Sequence, residues 1–377
     1  MKDAAAWKPP PNLAYREGVL RILDQTRLPS ELCFIEARDL ATVLEAITTL
    51  RIRGAPALGL AGAYGLAVAL ADHLRQHPAS GPEQAWGALA RAGAALTASR
   101  PTAVNLSRAI AWVQLRALAG PAAEGSDAGA STAAASARAE NSAGPAELLA
   151  RVEEAALALH AREAEACERI AAAGLGLLPA EASLLTHCNT GPLATGGIGT
   201  ALGVILRGHE QGRRFSIYVD ETRPLLQGAR LTAWELQAAG VPCRLIPDSA
   251  AASLILGGKV DAVLVGADRV AANGDTANKV GTLPLALAAH RARIPFYVAA
   301  PASSIDADCP RGALIPIEER GEAELTHWGG ILLTAPGMRA FNPAFDITPA
   351  DLVTAFITDR GVMLPPYDFS ASRMSSP

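Results

Sequence analysis

The chain has 377 residues, enough for two domains with some surplus. Half of its residues are hydrophobic and 19% are charged, which supports a sizeable buried core and excludes a wholly disordered chain. A net charge of −4 supplies no global basic field, so neither nucleic acid nor an anionic membrane is an expected partner. Five cysteines without CxxC spacing argue against a disulfide scaffold or zinc ribbon and favour a reducing, cytoplasmic compartment. The N-terminal MKDAAAWKPPPNLAYREG lacks the apolar run of a secretory signal.

The first half reads mainly as helices. Asp39 is placed to cap LATVLEAITTL, and Pro56 stands where a first-turn proline belongs, opening an Ala-rich helix through Leu74. Gly54 to Ala71 carries no charge, close to the minimum of about 18 residues for a membrane span. It is built from Gly and Ala and lacks aromatic belts and flanking cationic clusters, so a buried helix of a soluble core is expected. Further helices are expected after Gly81-Pro82 and after Pro101. Residues 120–144 are Gly, Ala, Ser and small acids without apolar period, and read as a flexible insertion. A charged, Ala-rich helix then resumes from Pro145 to Ala173.

The second half changes character. Candidate strands Ser183–His187, Phe215–Val219, Cys243–Ile246, Ala262–Val265 and Phe296–Ala299 alternate with helical stretches, which predicts a parallel sheet covered on both faces. The expected class is therefore α/β, a Rossmann-like parallel sheet C-terminal domain with a mainly helical N-terminal domain. The expected organisation is a helical domain over 1–119, the insertion over 120–144, a connecting helix over 145–180 and a catalytic domain over 181–377. Ligands of such sheets bind beyond the carboxyl ends of the strands.

Three of those strand ends carry candidate chemistry. After Ser183–His187 comes Cys188-Asn189-Thr190-Gly191 and then the glycine-rich 195–200 segment leading into a helix. A cysteine in that setting gains thiolate character from helix-start N–H groups, although a small buried thiol is an equally common outcome. After Phe215–Val219 come Asp220 and Glu221, of which only one is expected to face a pocket, with Gln227-Gly228 beyond. After Ala262–Val265 comes Asp268, a carboxylate costly to bury unless paired or used, and suited to general acid work. Asn278 and Lys279 sit at what reads as a glycine-bounded helix start, suited to an anionic group. Arg53 before Gly54-Ala55-Pro56, and Arg100 before Pro101, each place a guanidinium beside helix-start N–H groups. Together these suggest a phosphorylated small molecule as ligand. No nucleotide fingerprint and no metal-ligand spacing occurs, and His187 beside Cys188 is not a chelating pair.

Taken together, Arg53-Gly54-Ala55-Pro56, RPTAVNL at 100–106, THCNTG at 186–191, GTALGVI at 199–205, DETRPLLQGARLT at 220–232, GADRVAANGD at 266–275 and NKVGT at 278–282 strongly resemble the family of methylthioribose-1-phosphate isomerases. That family also holds the regulatory subunits of the eukaryotic translation-initiation exchange factor. The likeness runs in order from about Leu20 to about Pro365. It implies isomerisation of 5-methylthioribose 1-phosphate to 5-methylthioribulose 1-phosphate in methionine salvage, by a homodimer, with a sugar phosphate as the small-molecule partner and no cofactor or metal. By motif, Cys188 and Asp268 match the family's catalytic pair, and Arg53, Gly54, Ala55, Arg100, Gln227, Asn278 and Lys279 its substrate-binding positions. The chain departs from the pattern at the 120–144 insertion, the C-terminal tail, Thr190-Gly191-Pro192 beside Cys188, and Leu283. Alternatives are an isomerase for another pentose 1-phosphate, such as 5-deoxyribose 1-phosphate or ribose 1,5-bisphosphate, and a non-catalytic translation-factor subunit.

Overall fold

In the computed structural model, which describes residues 10–100, 104–119 and 143–370, the chain divides into two units. One holds Pro10–Glu165 together with Leu193–Gly196, and the other holds Ala166–Pro192 and the chain from Gly197 onward. The expected insertion lies outside the described residues apart from Ala143 and Gly144, as do residues 101–103.

The N-terminal unit opens with a feature the helical reading missed, a three-stranded antiparallel sheet of β1 (Leu13–Arg16), β2 (Val19–Leu23) and β3 (Phe34–Ala37). Glu17 and Gly18 both take positive φ, 50° and 76°, the twist that a two-residue hairpin loop requires. These strands are four or five residues long with charged alternate positions, so neither their length nor their hydrophobicity stands out in the sequence. Helices α1 (Leu40–Thr48), α2 (Ala55–Gln76), α3 (Pro82–Ser99), α4 (Val104–Ala119) and α5 (Pro145–Leu175) follow. Asp39 Oδ1 accepts Thr42 N–H at 2.8 Å, capping α1. The division between the units falls within α5.

Helix α2 explains its own composition. Among the described residues it is the one helix long and apolar enough to cross a membrane, yet 72% of that apolar window is buried inside the protein. Its glycines are contact points. A Cβ on Gly62 would come 2.5 Å from Leu106 and 3.2 Å from Ile110 of α4, and one on Gly65 would press on Val43 of α1 and Leu96 of α3. Small residues let three neighbours close on one helix at the packing density of a protein interior.

The C-terminal unit runs β4 (Glu181–Thr186), α6 (Ala201–Glu210), β5 (Arg214–Asp220), a π-helical turn over Gly228–Thr232 leading into α7 (Ala233–Ala238), β6 (Cys243–Ile246), α8 (Ala251–Leu256) and β7 (Ala262–Val265). It continues through β8 (Arg269–Ala271), β9 (Thr276–Lys279), α9 (Thr282–Ala292), β10 (Phe296–Ala299), β11 (Ile305–Asp306), the hairpin β12 (His327–Trp328) and β13 (Ile331–Leu332), β14 (Phe345–Thr348), β15 (Ala355–Thr358) and β16 (Gly361–Met363). The main sheet has the order β16-β15-β10-β7-β4-β5-β6, parallel throughout except for β16. A smaller sheet has the order β11-β8-β9-β14.

The central strands β7, β10 and β15 are buried on both faces and are largely continuous apolar runs, whereas β5 still alternates and the edge strands β6 and β16 are more exposed. Leu184, Ile217, Val219 and Leu264 face one core with Leu202 and Ile205 of α6, whereas Leu185, Val263, Val265 and Phe296 face a second core with Ile255 of α8 and Leu285 of α9. The strand order climbs outward from β4 in one direction, then restarts at β7 on its other side. In open sheets of this kind such a reversal, here between β4 and β7, is where ligands bind at the carboxyl ends of the strands.

Gly62→Val puts a branched side chain where α2 and α4 meet. Urea denaturation should show a loss of about 1–3 kcal/mol, the usual cost of overpacking a tight contact.

Candidate active site

The site is best built outward from the end of β4. The β4–β5 register pairs Thr186 with Val219, so the next residues, His187 and Asp220, are neighbours. They are hydrogen-bonded through Nδ1 and Oδ2 at 2.9 Å, each about 1% exposed. Cys188 then leaves the strand with φ +62°. A non-glycine residue in the left-handed region is held there only by its surroundings. Here the Cys188 N–H donates to Thr222 Oγ1 at 2.9 Å, and Thr232 Oγ1 donates to the Cys188 carbonyl at 2.6 Å. Asn189 Nδ2 donates to Thr232 Oγ1 at 3.1 Å and also to Glu235, a glutamate buried at the start of α7.

The β5 loop that supplies these partners is itself tightly determined. Thr222 and Leu226 also take positive φ. Asp248 accepts the backbone N–H groups of Thr222 and Arg223, both at 2.7 Å. Gly228 packs so close that a Cβ there would overlap the Asp220 carbonyl. A π-helical turn at such a place is a frequent companion of function. Gln227 precedes it, 4% exposed, and its Oε1 has no hydrogen-bond partner among the described residues. An unsatisfied buried amide oxygen costs about 1–3 kcal/mol, which favours a ligand donor at that position.

Across that reversal, Asp268 follows β7, half-buried, with its N–H on the Ala277 carbonyl at 3.0 Å. The two loops touch: a Cβ on Gly266 would lie 2.6 Å from Thr190 Cγ2. The structure thus carries Cys188 and Asp268 on adjoining loops at the carboxyl ends of neighbouring strands. The neighbouring Arg269 is held by Asp306, with Nε donating to Oδ2 at 2.8 Å.

Two expectations need correction. Asn278 and Lys279 lie on β9, a strand that the reading of a helix entry missed, opposite Asp346 and Phe345 of β14, although α9 does begin three residues beyond Lys279, capped by Gly281. Asn278 Nδ2 donates to Thr282 Oγ1 at 2.9 Å, and the buried Lys279 donates to the Ala344 carbonyl at 2.8 Å while its Nζ stands 4.9 Å from the centre of the Phe345 ring. The short strand was hidden because Thr-Ala-Asn-Lys has no apolar alternation. Second, the start of α6 is partly occupied. The departure Thr190 accepts Leu202 N–H on its Oγ1 at 3.0 Å and Thr200 N–H on its carbonyl at 2.8 Å, so those donors are taken by the protein itself.

The remaining candidates belong to the N-terminal unit. Arg53 Nε donates to Gln25 Oε1 at 3.3 Å, and Gly54, at φ +95°, caps α2, which begins at Ala55. A Cβ on Gly54 would meet the Ala194 carbonyl at 2.5 Å, so only glycine suits this position. The Leu193–Gly196 segment is fastened there by Asn12 Nδ2 on Leu193 O and Thr195 O and by Gln25 Nε2 on Leu193 O. Arg100 caps the C-terminal end of α3.

Of Asp220 and Glu221, expected to place only one in a pocket, Asp220 is the buried one, whereas His187, Thr222, Thr232 and Glu235 were missed as site-supporting residues. Thr222 and Thr232 look unremarkable in sequence, but polar residues at the ends of two consecutive strands were a usable signal for His187 and Asp220. Ligand atoms of His187, Asp220 and Asp248 also lie within 4.8 Å of one another. Both Asp248 oxygens accept backbone N–H groups and His187 Nε2 faces the Val280 carbonyl at 2.9 Å, so the group serves as a hydrogen-bond network.

Comparison with known proteins places this chain in a family. The profile of the Initiation factor 2 subunit family matches residues 51–365. The chain belongs to that family. Among family members, the methylthioribose-1-phosphate isomerase of Pelotomaculum thermopropionicum is 48% identical over 93% of this chain and 90% of its own. The crystal structure of 5-methylthioribose 1-phosphate isomerase from Pyrococcus horikoshii OT3 superposes with a TM-score of 0.83 at 37% identity, covering 96% of this chain and 94% of that one. The family fold is shared with the translation initiation factor eIF-2B, subunit delta, from A. fulgidus, at a TM-score of 0.80 and 36% identity over 97% of this chain and 99% of that one. Fold alone therefore does not select the activity.

Thr232→Val removes the hydroxyl that donates to the Cys188 carbonyl and accepts one of the Asn189 amide's hydrogen bonds. Urea unfolding should fall by about 1–3 kcal/mol.

Proposed function

We propose that the protein is an aldose–ketose isomerase that converts 5-methylthioribose 1-phosphate to 5-methylthioribulose 1-phosphate in methionine salvage. The observation that carries this reading is the pairing of a thiol and a carboxylate, Cys188 and Asp268, on touching loops at the β4/β7 reversal, in a chain 48% identical to a relative of that name. The proposed substrate anchors are Arg53, Gly54, Ala55, Arg100, Gln227, Asn278 and Lys279. The unsatisfied Gln227 Oε1 supports a hydroxyl donor there, and the buried Lys279 supplies a cation for phosphate. Holding the substrate in one geometry contributes to rate by orientation.

The esterified anomeric oxygen has no proton to lose, so the bond from C1 to the ring oxygen must break without forming a free aldehyde. Asp268, protonated, donates to the ring oxygen as that bond cleaves. The hydrogen on C2 moves to C1, either relayed by the Cys188 sulfur as a proton or passed directly as a hydride with Cys188 stabilising the developing charge. The C2 hydroxyl becomes the carbonyl and returns its proton to the Asp268 carboxylate, so no net proton, electron or atom is consumed.

A non-catalytic translation-factor role is the second reading, favoured by the match to the subunit-delta structure. A regulatory role has no need of Cys188, Asp268, Asn278 and Lys279 in one unit. Location in the cytoplasm, with neither nucleic acid nor membrane as partner, accords with the net charge of −4. We further propose a homodimer. Trp328, Ile331, Leu332, Leu333, Met338 and Phe341, on and just after the β12–β13 hairpin in sequence, are exposed apolar residues, with Phe341 75% exposed, and large exposed apolar surface supports an association surface.

Turnover of 5-methylthioribose 1-phosphate is expected for the native chain, with Cys188→Ala and Asp268→Asn each lowering kcat by about 100-fold or more. An inactive native chain that binds an initiation factor would reverse the two readings. In deuterated water, complete retention of the C2 hydrogen at C1 would eliminate a proton relay that exchanges with solvent. Light scattering should give twice the chain mass for the native protein and a shift toward monomer for Phe341→Glu with Ile331→Glu, because charges in an apolar interface are costly to desolvate.

A further inference from the structure

His187 is hemmed in by acceptors. Its Nε2 lies 2.9 Å from the Val280 carbonyl, and a carbonyl only accepts, so that nitrogen carries a proton. Its Nδ1 lies 2.9 Å from Asp220 Oδ2. A neutral imidazole with its proton on Nε2 presents a bare lone pair at Nδ1. Facing an ionised carboxylate, that contact would set two acceptors against each other in a site closed to water. The contact therefore requires one further proton, on Nδ1 or on Oδ2. Burial raises the Asp220 carboxyl above the usual carboxylate range, and Asp248 and Glu221 act in the same sense, while its bond to His187 opposes them. From the other side His187 faces Asp346, itself raised by burial, which stands near Lys279.

The position of this pair gives it a task. His187 immediately precedes Cys188, and Val280 immediately follows Asn278 and Lys279. The imidazole thus ties the thiol's turn to the segment that carries two proposed substrate anchors. Gly281 makes room for it: at φ +107° a Cβ would stand 2.8 Å from His187 Cε1. Asp346 secures the far end of the same segment by accepting Gly281 N–H at 2.7 Å and Leu283 N–H at 3.1 Å.

We propose that His187 is a positioning residue for the isomerase reaction: with Asp220 it forms a one-proton clamp that holds the Cys188 turn against the Asn278–Gly281 segment, and release of that proton at alkaline pH opens the clamp and lowers turnover. This rests on the isomerase reading. Cys188 touches substrate in that reading, whereas His187 acts through it.

The test is kcat and KM for 5-methylthioribose 1-phosphate across pH about 6 to 10. Wild type comes first, because absence of turnover at every pH overturns the isomerase reading itself and says so independently of the clamp. Asp220→Asn is the decisive variant. Its amide donates to the bare Nδ1 of a neutral His187, so the hydrogen bond persists without an ionisable partner. The alkaline fall in kcat should move up by about one pH unit or more, with KM within about threefold of wild type. His187→Ala should lower kcat about tenfold at neutral pH, with the gap to wild type narrowing as the wild-type clamp opens at alkaline pH, and His187→Gln, whose amide can still donate to Val280 O, should recover part of the neutral-pH loss. A pH profile of Asp220→Asn that overlays the wild type overturns the proposal, as does a His187→Ala enzyme with undiminished kcat. Should His187→Ala fail to fold, the Asp220→Asn profile decides alone.

Discussion

Parallel neighbours in a sheet must be joined by crossovers, and each crossover covers one face. At β4 the direction of travel across the sheet reverses: β5 and β6 add on one side, with α6 packed against one face, and then β7 and β10 add on the other, with α8 and α9 against the opposite face. The loops leaving β4 and β7 therefore start side by side at the point where the crossovers part to different faces. Cys188 and Asp268 occupy those two loops. The site follows from this parting of crossovers.

A strand reversal supplies only a place. What aims Cys188 is a set of buried polar groups that satisfy one another. The left-handed backbone at Cys188 is disfavoured on its own, and Thr222, Thr232, Asn189 and Glu235 outweigh that cost by pairing its backbone groups away from water. The π-helical turn and the missing Cβ of Gly228 bring Thr232 within reach. Rigidity here is a property of the network, because removing one member takes a hydrogen bond from its buried partners. The same logic holds at His187, whose two ring nitrogens both meet oxygen.

Close approach by small residues is the other recurrent device. Gly62 and Gly65 let α4, α1 and α3 pack on α2, and Gly54 admits the Ala194 backbone beside the start of that helix. The unusual Gly and Ala content of residues 54–71, which resembles a membrane span in charge and length alone, is explained by these contacts. A lipid-facing helix has no requirement for a bare backbone at three such places.

The local pattern of the chain determined the regular elements with strong periodicity: the five core strands, the long helices, the Asp39 cap and the α/β class all follow from apolar runs and turn chemistry that act over a few residues. It also singled out Cys188 and Asp268, since a reactive side chain at the end of an apolar strand is visible in one dimension. The three N-terminal strands and β9 escaped, because short strands with polar alternate positions owe their existence to partners distant in sequence. Strand order, the pairing of His187 with Asp220, and the convergence of Thr222 and Thr232 on Cys188 were decided only by the tertiary structure. Each depends on a register between segments 33 to 44 residues apart, and no local propensity encodes which of several apolar strands will lie next to which. That choice is made by the whole core as it excludes water from both faces of the sheet.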